Sequence, residues 1–248
     1  LNEYNPDIAA KRIRNFFVNA LKLVKKERHD VILDKLLLWL GGDLMTGYIH
    51  DELMESNTMS PIEESVFIRD HVEAGPRYLA KEGGFKTIKV VCNHGNHGRT
   101  TLKRRVQTAA NNSFEHMIYG NLQRIFQDHK TIDFVIADGY FNYVQVFDKL
   151  IRAHHGDNIG YGGGIGGVTI PLMKFIQRSN QQQHASMDII GHYHQLTHHR
   201  HFIINGSLIG FNAYAQSIGA SPERPQQAFQ LIDSKRGFTV SAPILVED

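Results

Sequence analysis

The sequence is poor in cysteine, in long apolar runs and in net charge. Cys92 is the single cysteine, so no intramolecular disulfide can form. No apolar run approaches the roughly 20 residues that a transmembrane helix requires. The 27 Lys and Arg against 25 Asp and Glu give a net charge of only +2, so neither a basic nor an acidic tail is present. We therefore expect a cytoplasmic protein with no membrane partner, whose other partners are chosen by local patches.

The composition otherwise predicts a globular protein with one unusual feature. The chain has 248 residues, 42% of them hydrophobic and 21% charged, which is enough for one large α/β domain. There are 15 histidines, so any bound metal is expected to have imidazole and oxygen ligands rather than thiolates. The first residue is Leu rather than Met, and we expect the natural N terminus to lie upstream.

The hydrophobic pattern alternates between helical and strand periods. Apolar residues recur every three or four positions from Pro6 to about residue 27, which predicts an amphipathic helix. The continuous apolar run 36–40 predicts a strand buried on both faces. The same alternation predicts helices at 61–82, 113–127 and 168–179 and strands at 87–92, 132–137, 140–147, 149–154 and 188–190. Short β-like runs follow over 200–246. We predict one α/β domain over 1–248 with two sheets, and a largely helical insertion at about 44–82.

Polar residues that can bind metal follow four of the predicted strands. They are Asp43, the pair Asn96 and His97, His155, and the pair His192 and His194. In open α/β sheets, side chains that follow the carboxyl ends of strands converge even when they are distant in sequence. A glycine lies beside each group and allows the sharp turn that this placement requires.

In this order, four short motifs resemble the calcineurin-like metallophosphoesterase superfamily. They are Gly-Asp at 42–43, Gly-Asn-His at 95–97, His-Gly at 155–156 and Gly-His-X-His at 191–194, followed by Asn-Gly-Ser at 205–207. The resemblance implies a four-layer αββα sandwich of two mixed sheets flanked by helices. It also implies two divalent metal ions; with imidazole and oxygen ligands we expect Mn²⁺, with Fe²⁺ or Zn²⁺ as alternatives.

The resemblance also implies a role for each site residue. Asp43 would be the carboxylate that bridges both metals. One metal would be completed by Asn96, His155 and His192, and the other would be bound by His194. His97 would lie beside the phosphate as general acid or charge stabiliser.

The family's first motif, Asp-X-His at the end of the first strand, does not occur in the sequence. Two explanations compete. Either the strand and its motif precede Leu1, or the protein has lost one metal site. In the second case Asp43 and His194 alone would serve the first metal, and hydrolysis would be severely impaired.

A basic run follows Gly-Asn-His directly and bears on the substrate. It contains Arg99, Lys103, Arg104 and Arg105. Arg99 is the best candidate for a phosphate contact, because a planar guanidinium can bind two oxygens. The run also suits a nucleic-acid backbone.

We therefore expect a metal-dependent phosphoesterase that cleaves phosphodiesters by attack of a metal-bridging hydroxide. DNA is the expected substrate, by similarity to the family's DNA-repair exonuclease branch. The alternatives are a phosphomonoesterase acting on a small molecule or phosphoprotein, and a catalytically degenerate module that binds DNA or protein.

Two further segments follow His155. Asp157 and Asn158 are candidates to orient its imidazole, since metal-bound histidines usually donate their other N–H to an oxygen. The glycine-rich stretch 162–167 has G-X-G-X-X-G spacing, but it follows a strand of the metal-site pattern, which argues against a dinucleotide site. It is either a loop at the mouth of the site or a simple connector.

Overall fold

The computed structural model describes residues 3–29, 31–160 and 167–247. Within these ranges the helices are α1 (Pro6–Glu27), α2 (Asp51–Ser56), α3 (Pro61–Glu82), α4 (Phe114–Ile125), α5 (Thr169–Gln182) and α6 (Ala213–Ser217). The strands are β1 (Lys35–Leu40), β2 (Thr87–Cys92), β3 (Ile132–Ile136), β4 (Asn142–Val146), β5 (Lys149–His154), β6 (Met187–Ile190), β7 (Thr197–His198), β8 (Phe202–Ile204), β9 (Gln226–Asp233) and β10 (Gly237–Leu245).

The first sheet has the order β1-β2-β3, and both of its strand pairs are parallel. The helical connections before β2 and β3 allow this direction, since a short turn cannot join parallel strands. Helices α1, α3 and α4 cover one face, and the core between helices and sheet includes Phe17, Leu21, Ile68, Val72, Val90, Ile118 and Leu122. Helix α1 begins where the Asn5 side chain accepts the N–H of Ile8 and Pro6 fixes the first turn.

The second sheet has the order β4-β5-β6-β8-β7 and is mixed. Leu172 and Ile176 of α5 pack on its outer face against Ile190 and Phe202. Its inner face packs on the first sheet through a small cluster that includes Val91, Val144 and Ala153. The layers therefore run helices, sheet, sheet, helix, and the predicted αββα class is confirmed. The first sheet differs from the prediction of two mixed sheets, because its pairings are parallel.

Asn93, directly after β2, links both sheets and one helix. Its side-chain oxygen accepts the indole N–H of Trp39 on β1 at 3.0 Å, and its amide donates to the carbonyl of Ala153 on β5 at 3.2 Å. The Tyr119 hydroxyl of α4 donates to its backbone carbonyl at 3.2 Å. Because Asn93 is almost completely buried, these bonds form out of contact with water.

The last strands, β9 and β10, form an antiparallel hairpin that packs on α1. Asn15 and Asn19 of α1 donate their side-chain amides to the carbonyls of Val246 and Leu245. Helix α6 was not expected within the β-rich tail; it is a single short turn capped by the Asn212 side chain, too short to show a helical period.

Other expectations meet the structure only in part. Residues 44–82 contain α2 and α3, while the single-domain assignment stays a prediction. The glycine-rich stretch lies outside the described residues except for Gly167. Among the helices that the structure describes, none combines the length and apolar composition needed to cross a bilayer. The cytoplasmic location stays a prediction.

Candidate metal centre

The predicted ligands lie on loops that directly follow β1, β2, β5 and β6, and three of them have an unusual backbone. Asp43, His192 and His194 have φ of 52°, 67° and 60°. Phe147 is the one other non-glycine residue with positive φ in the described ranges. This conformation is costly for a side chain with a Cβ and is concentrated at functional sites. Three of the four non-glycine residues with positive φ in the described ranges are therefore predicted metal ligands.

Close packing of two glycine-bearing loops brings Asp43 next to Asn96. A Cβ at Gly42 would collide with the backbone of Gly95, and a Cβ at Gly95 would collide with the Asp43 carboxylate. Gly42 also has φ of 85°, which favours glycine. The glycines beside the predicted ligands therefore allow the loops after β1 and β2 to touch.

Asp43, His155 and His192 form the centre of the site. One ligand atom from each lies within 4.8 Å of the others. His155 Nε2 is 2.9 Å from Asp43 Oδ2 and 3.2 Å from Asn96 Oδ1. The rings of His155 and His192 lie edge to face with centroids 5.1 Å apart. The structure thus brings together four of the five predicted metal ligands.

The bonding of His155 shows that this arrangement suits a cation. Its Nδ1 donates to the carbonyl of Gly41 at 2.8 Å, because a carbonyl can only accept. In the neutral ring Nε2 therefore carries a lone pair, and it faces two oxygens that are also acceptors. Three acceptors at one point repel each other unless a proton or a metal ion lies between them. The donor set of imidazole, carboxylate and amide oxygen fits Mn²⁺, Fe²⁺ or Zn²⁺.

The close approach of these side chains also shifts their pKa values. Burial alone would lower the pKa of His155, but the neighbouring Asp43 carboxylate raises it to about 9. Burial alone would raise the pKa of Asp43, but the charge and hydrogen bond of His155 hold it well below its usual range. Burial, together with the charge on His155, lowers the pKa of His192 to about 4. His192 is therefore a neutral, metal-competent imidazole at pH 7.

His97 lies beside the group without joining it. Its backbone N–H donates to Asp43 Oδ1 at 2.8 Å, and its Nδ1 contacts the carbonyl of Thr46 at 2.7 Å. Its Nε2 is 4.0 Å from Asp43 Oδ2, and the side chain is partly exposed. This placement leaves Nε2 available at the edge of the site.

Two further predicted residues lie at the edge of this group. Burial lowers the pKa of His194, and the charges of Asp43, His97 and His155 also act on it; its ring contacts Tyr214, with centroids 6.2 Å apart. Arg99 donates to carbonyls of its own loop, those of Asn96 at 2.8 Å and Thr101 at 3.1 Å among them. The roles of His194 as second-metal ligand and of Arg99 as phosphate contact stay predictions.

The suggestion that Asp157 or Asn158 orients His155 is wrong. Gly41 supplies the acceptor for His155 Nδ1 instead. Asp157 forms an ion pair with Arg104, with Oδ2 3.1 Å from the guanidinium, and Asn158 donates its N–H to the Tyr140 hydroxyl. A backbone acceptor leaves no side-chain pattern, so sequence reasoning could not identify it.

A cleft opens beside Asn96. One wall comes from the segment 94–113, and the other comes from Tyr140, Asp157 and Asn158. Arg99, Arg104 and Arg105 all line it, so the basic run predicted from sequence lies next to the ligand group.

Sequence reasoning did not single out two buried glutamates that support these loops, Glu64 and Glu115. A glutamate in the first turn of a helix is common and carries no distinctive signal.

No protein-family model matches the chain, and no curated protein sequence matches it. Solved structures resemble it at low identity. A hypothetical protein from Pyrococcus horikoshii OT3 is 14% identical, with 93% of this chain and 83% of that chain covered and a TM-score of 0.46. Vps29 from Entamoeba histolytica, complexed with Zn²⁺, is 11% identical, with 85% and 98% covered and a TM-score of 0.39.

A Streptococcus pneumoniae TIGR4 protein described as a predicted phosphoesterase is 11% identical, with 80% of this chain and 82% of that chain covered and a TM-score of 0.34. At these values we take no functional argument from the neighbours. The DNA-repair exonuclease branch stays a prediction, and function is inferred from the site residues.

Proposed function

We propose that this chain is a divalent-metal phosphoesterase of the calcineurin-like metallophosphoesterase superfamily that cleaves phosphodiester bonds in nucleic acid. The observation that supports this best is the meeting of Asp43 Oδ2, Asn96 Oδ1 and His155 Nε2, three acceptors from three loops, with His192 beside them. Such a convergence of acceptors is stable around a cation. The proposal assigns Mn²⁺ as the first choice of metal.

In the proposed centre, each of the site residues has a distinct task. One ion would be held by Asn96, His155 and His192 with Asp43, and a second by Asp43 and His194. When bound, the ions would supply Lewis acidity toward the phosphoryl group and lower the pKa of water. The Gly41 carbonyl keeps His155 in the tautomer whose Nε2 can ligate. His97, oriented through Nδ1 by Thr46, would deliver a proton from Nε2 to the leaving oxygen.

The cleft supports nucleic acid as the substrate class. Arg104 and Arg105 line it, Lys103 lies beside them, and Lys103 and Arg105 are exposed. A polymer with regularly spaced phosphates can contact such a cluster while one phosphodiester occupies the metal centre. Arg99 keeps donors beyond those given to its own loop and stays the proposed contact to the scissile phosphate.

A catalytically degenerate binding module is the second candidate. It needs only the group of Asp43, Asn96, His155 and His192 and the cationic cleft beside it, both of which are found among the described residues. Such a module would bind one ion and nucleic acid without hydrolysis.

The test compares diester and monoester substrates. With Mn²⁺ we expect cleavage of bis-p-nitrophenyl phosphate and single-stranded DNA, and Asp43→Asn should lose both activity and bound metal. Hydrolysis confined to nucleoside monophosphates would replace the nuclease with a phosphomonoesterase. Metal and DNA binding without any hydrolysis would establish the binding module.

A further inference from the structure

Glu115, at the start of α4, connects the loops that carry Asp43 and Asn96. Glu115 is completely buried. One carboxylate oxygen accepts the backbone N–H of Leu44 at 2.5 Å, and the other accepts that of Gly95 at 2.6 Å. Leu44 directly follows Asp43 and Gly95 directly precedes Asn96. One side chain therefore binds the neighbour of each of two predicted ligands.

Glu64, in the first turn of α3, supports the next part of the same loop. It is buried, and its two oxygens accept the N–H groups of Thr46 at 3.2 Å and Gly47 at 3.0 Å. The carbonyl of Thr46 in turn binds Nδ1 of His97. Glu64 thus acts on the His97 ring through a single residue.

These carboxylates are costly for the fold, because a buried carboxyl group is stable only when its oxygens are hydrogen-bonded. Each one meets that need with two backbone N–H groups rather than with a cation: Glu64 with two from the loop after β1, and Glu115 with one from that loop and one from the loop after β2. The loop from Gly41 to Gly47 has no helix or strand of its own, so its N–H groups otherwise lack partners from secondary structure. The two glutamates supply partners in the middle of the loop, at Leu44, and at its end, at Thr46 and Gly47.

We propose that Glu115 and Glu64 are positioning residues of the metal centre. Glu115 sets the separation of Asp43 and Asn96, and Glu64 fixes the imidazole of His97 through Thr46. The proposal rests on the proposed function, because it assigns ligand and proton-donor roles to the residues that are positioned. It predicts that substitutions at the two sites have different effects.

For Glu115 the readout is metal affinity. Glutamine keeps the shape but offers one acceptor oxygen instead of two, so Glu115→Gln releases one of the two loops. We expect its affinity for Mn²⁺, measured by isothermal titration calorimetry, to fall about 10- to 100-fold. Glu73→Gln, at a partly exposed position of α3 where the carboxylate pairs with Arg77, is the control and should bind as the wild type does. Wild-type affinity in Glu115→Gln would overturn the proposal.

For Glu64 the readouts are the His97 ring and the kinetics. Glu64→Gln should keep wild-type Mn²⁺ affinity, shift the His97 ring resonances in NMR spectra of the metal-free protein, and lower kcat with KM unchanged. In the His97→Ala background Glu64→Gln should have no further effect on kcat, since it acts through that ring. An additive loss, or unmoved His97 resonances, would overturn the proposal.

Two further measurements separate the proposal from misfolding and from failure of the proposed function. If Glu115→Gln does not fold, Glu115→Asp keeps the charge but shortens the reach by one methylene, and it should also bind Mn²⁺ more weakly; wild-type affinity there counts against the role. If the wild type binds no Mn²⁺ or hydrolyses no diester, the proposed function fails. The NMR response of His97 to Glu64→Gln then still decides the positioning role.

Discussion

At the scale of residues, the contact between Asp43 and His155 holds a proton when no metal is bound. The pKa of His155 lies at about 9 in the folded chain, against the ordinary value of 6.5 that the residue has in the unfolded chain. A raised pKa means that the folded state binds the proton more tightly, so this group stabilises the fold fully below pH 6.5 and stops doing so as pH rises through 9.

The first prediction follows from this loss of stability as pH rises. In EDTA, the Tm of the wild type should fall between pH 6.5 and 9 relative to His155→Gln, which lacks the titrating ring. With Mn²⁺ the trend should reverse, because the ion binds the deprotonated ring and takes the place of the proton. Differential scanning fluorimetry at both conditions measures this. Parallel Tm profiles for the two proteins in EDTA would contradict it.

The second prediction separates proton transfer from metal binding at His97. Its bond to Asp43 comes from the backbone N–H, which alanine retains. His97→Ala should therefore keep its Mn²⁺ content while turnover of bis-p-nitrophenyl phosphate falls about 10²- to 10⁴-fold, the range for a positioned general acid. Metal content by mass spectrometry is measured on the same samples. Loss of metal from this variant would show that His97 is a ligand.

At the scale of elements, helix packing depends on a close contact between α1 and α3. Gly75 of α3 faces the ring of Phe17 on α1, and an added Cβ would overlap that ring. Gly120 of α4 has open space at the same position. The two glycines lie in different surroundings, although both are inside helices.

The third prediction compares these glycines. Gly75→Ala should lower the free energy of unfolding by about 1–3 kcal/mol through overpacking, despite the better helix propensity of alanine. Gly120→Ala should raise it by up to about 1 kcal/mol, because only the propensity changes. Urea denaturation followed by circular dichroism measures both. Equal effects would mean that α1 and α3 are not in contact as described.

Elements with strong periodicity were predictable from sequence, and short ones were not. The bounds of α1, α3 and β2 agree with the pattern, because each buries one continuous apolar face. Helix α6, of five residues, is fixed by its N-cap and by tertiary contacts. At the site, glycines and strand ends predicted where Asp43 and His155 lie, whereas the Gly41 acceptor and the buried glutamates depend on packing that no local pattern encodes.

At the scale of the whole molecule, the net charge of +2 provides little long-range attraction for nucleic acid. Binding must then depend on the local group of cations at the cleft. Lys103 and Arg105 are exposed there and are free of the Arg104–Asp157 ion pair.

The fourth prediction concerns salt. For single-stranded DNA, replacing both Lys103 and Arg105 by Gln should reduce the slope of log K against log salt by about 1.4, at about 0.7 per lost phosphate contact. Replacing Lys25 and Lys26, exposed at the end of α1, by Gln removes the same charge and should leave the slope near that of the wild type. Fluorescence anisotropy over a salt series measures it. Equal slopes in the two double variants would exclude the cleft as the DNA contact.

The bonds of Asn93 to Trp39, Ala153 and Tyr119 have a consequence for how the molecule comes apart. If either sheet opened alone, buried hydrogen-bond donors and acceptors of the other would be left without partners. The amide protons of β2 and β5 should therefore exchange with deuterium through one shared opening event, so that the ligand loops are lost together rather than one by one.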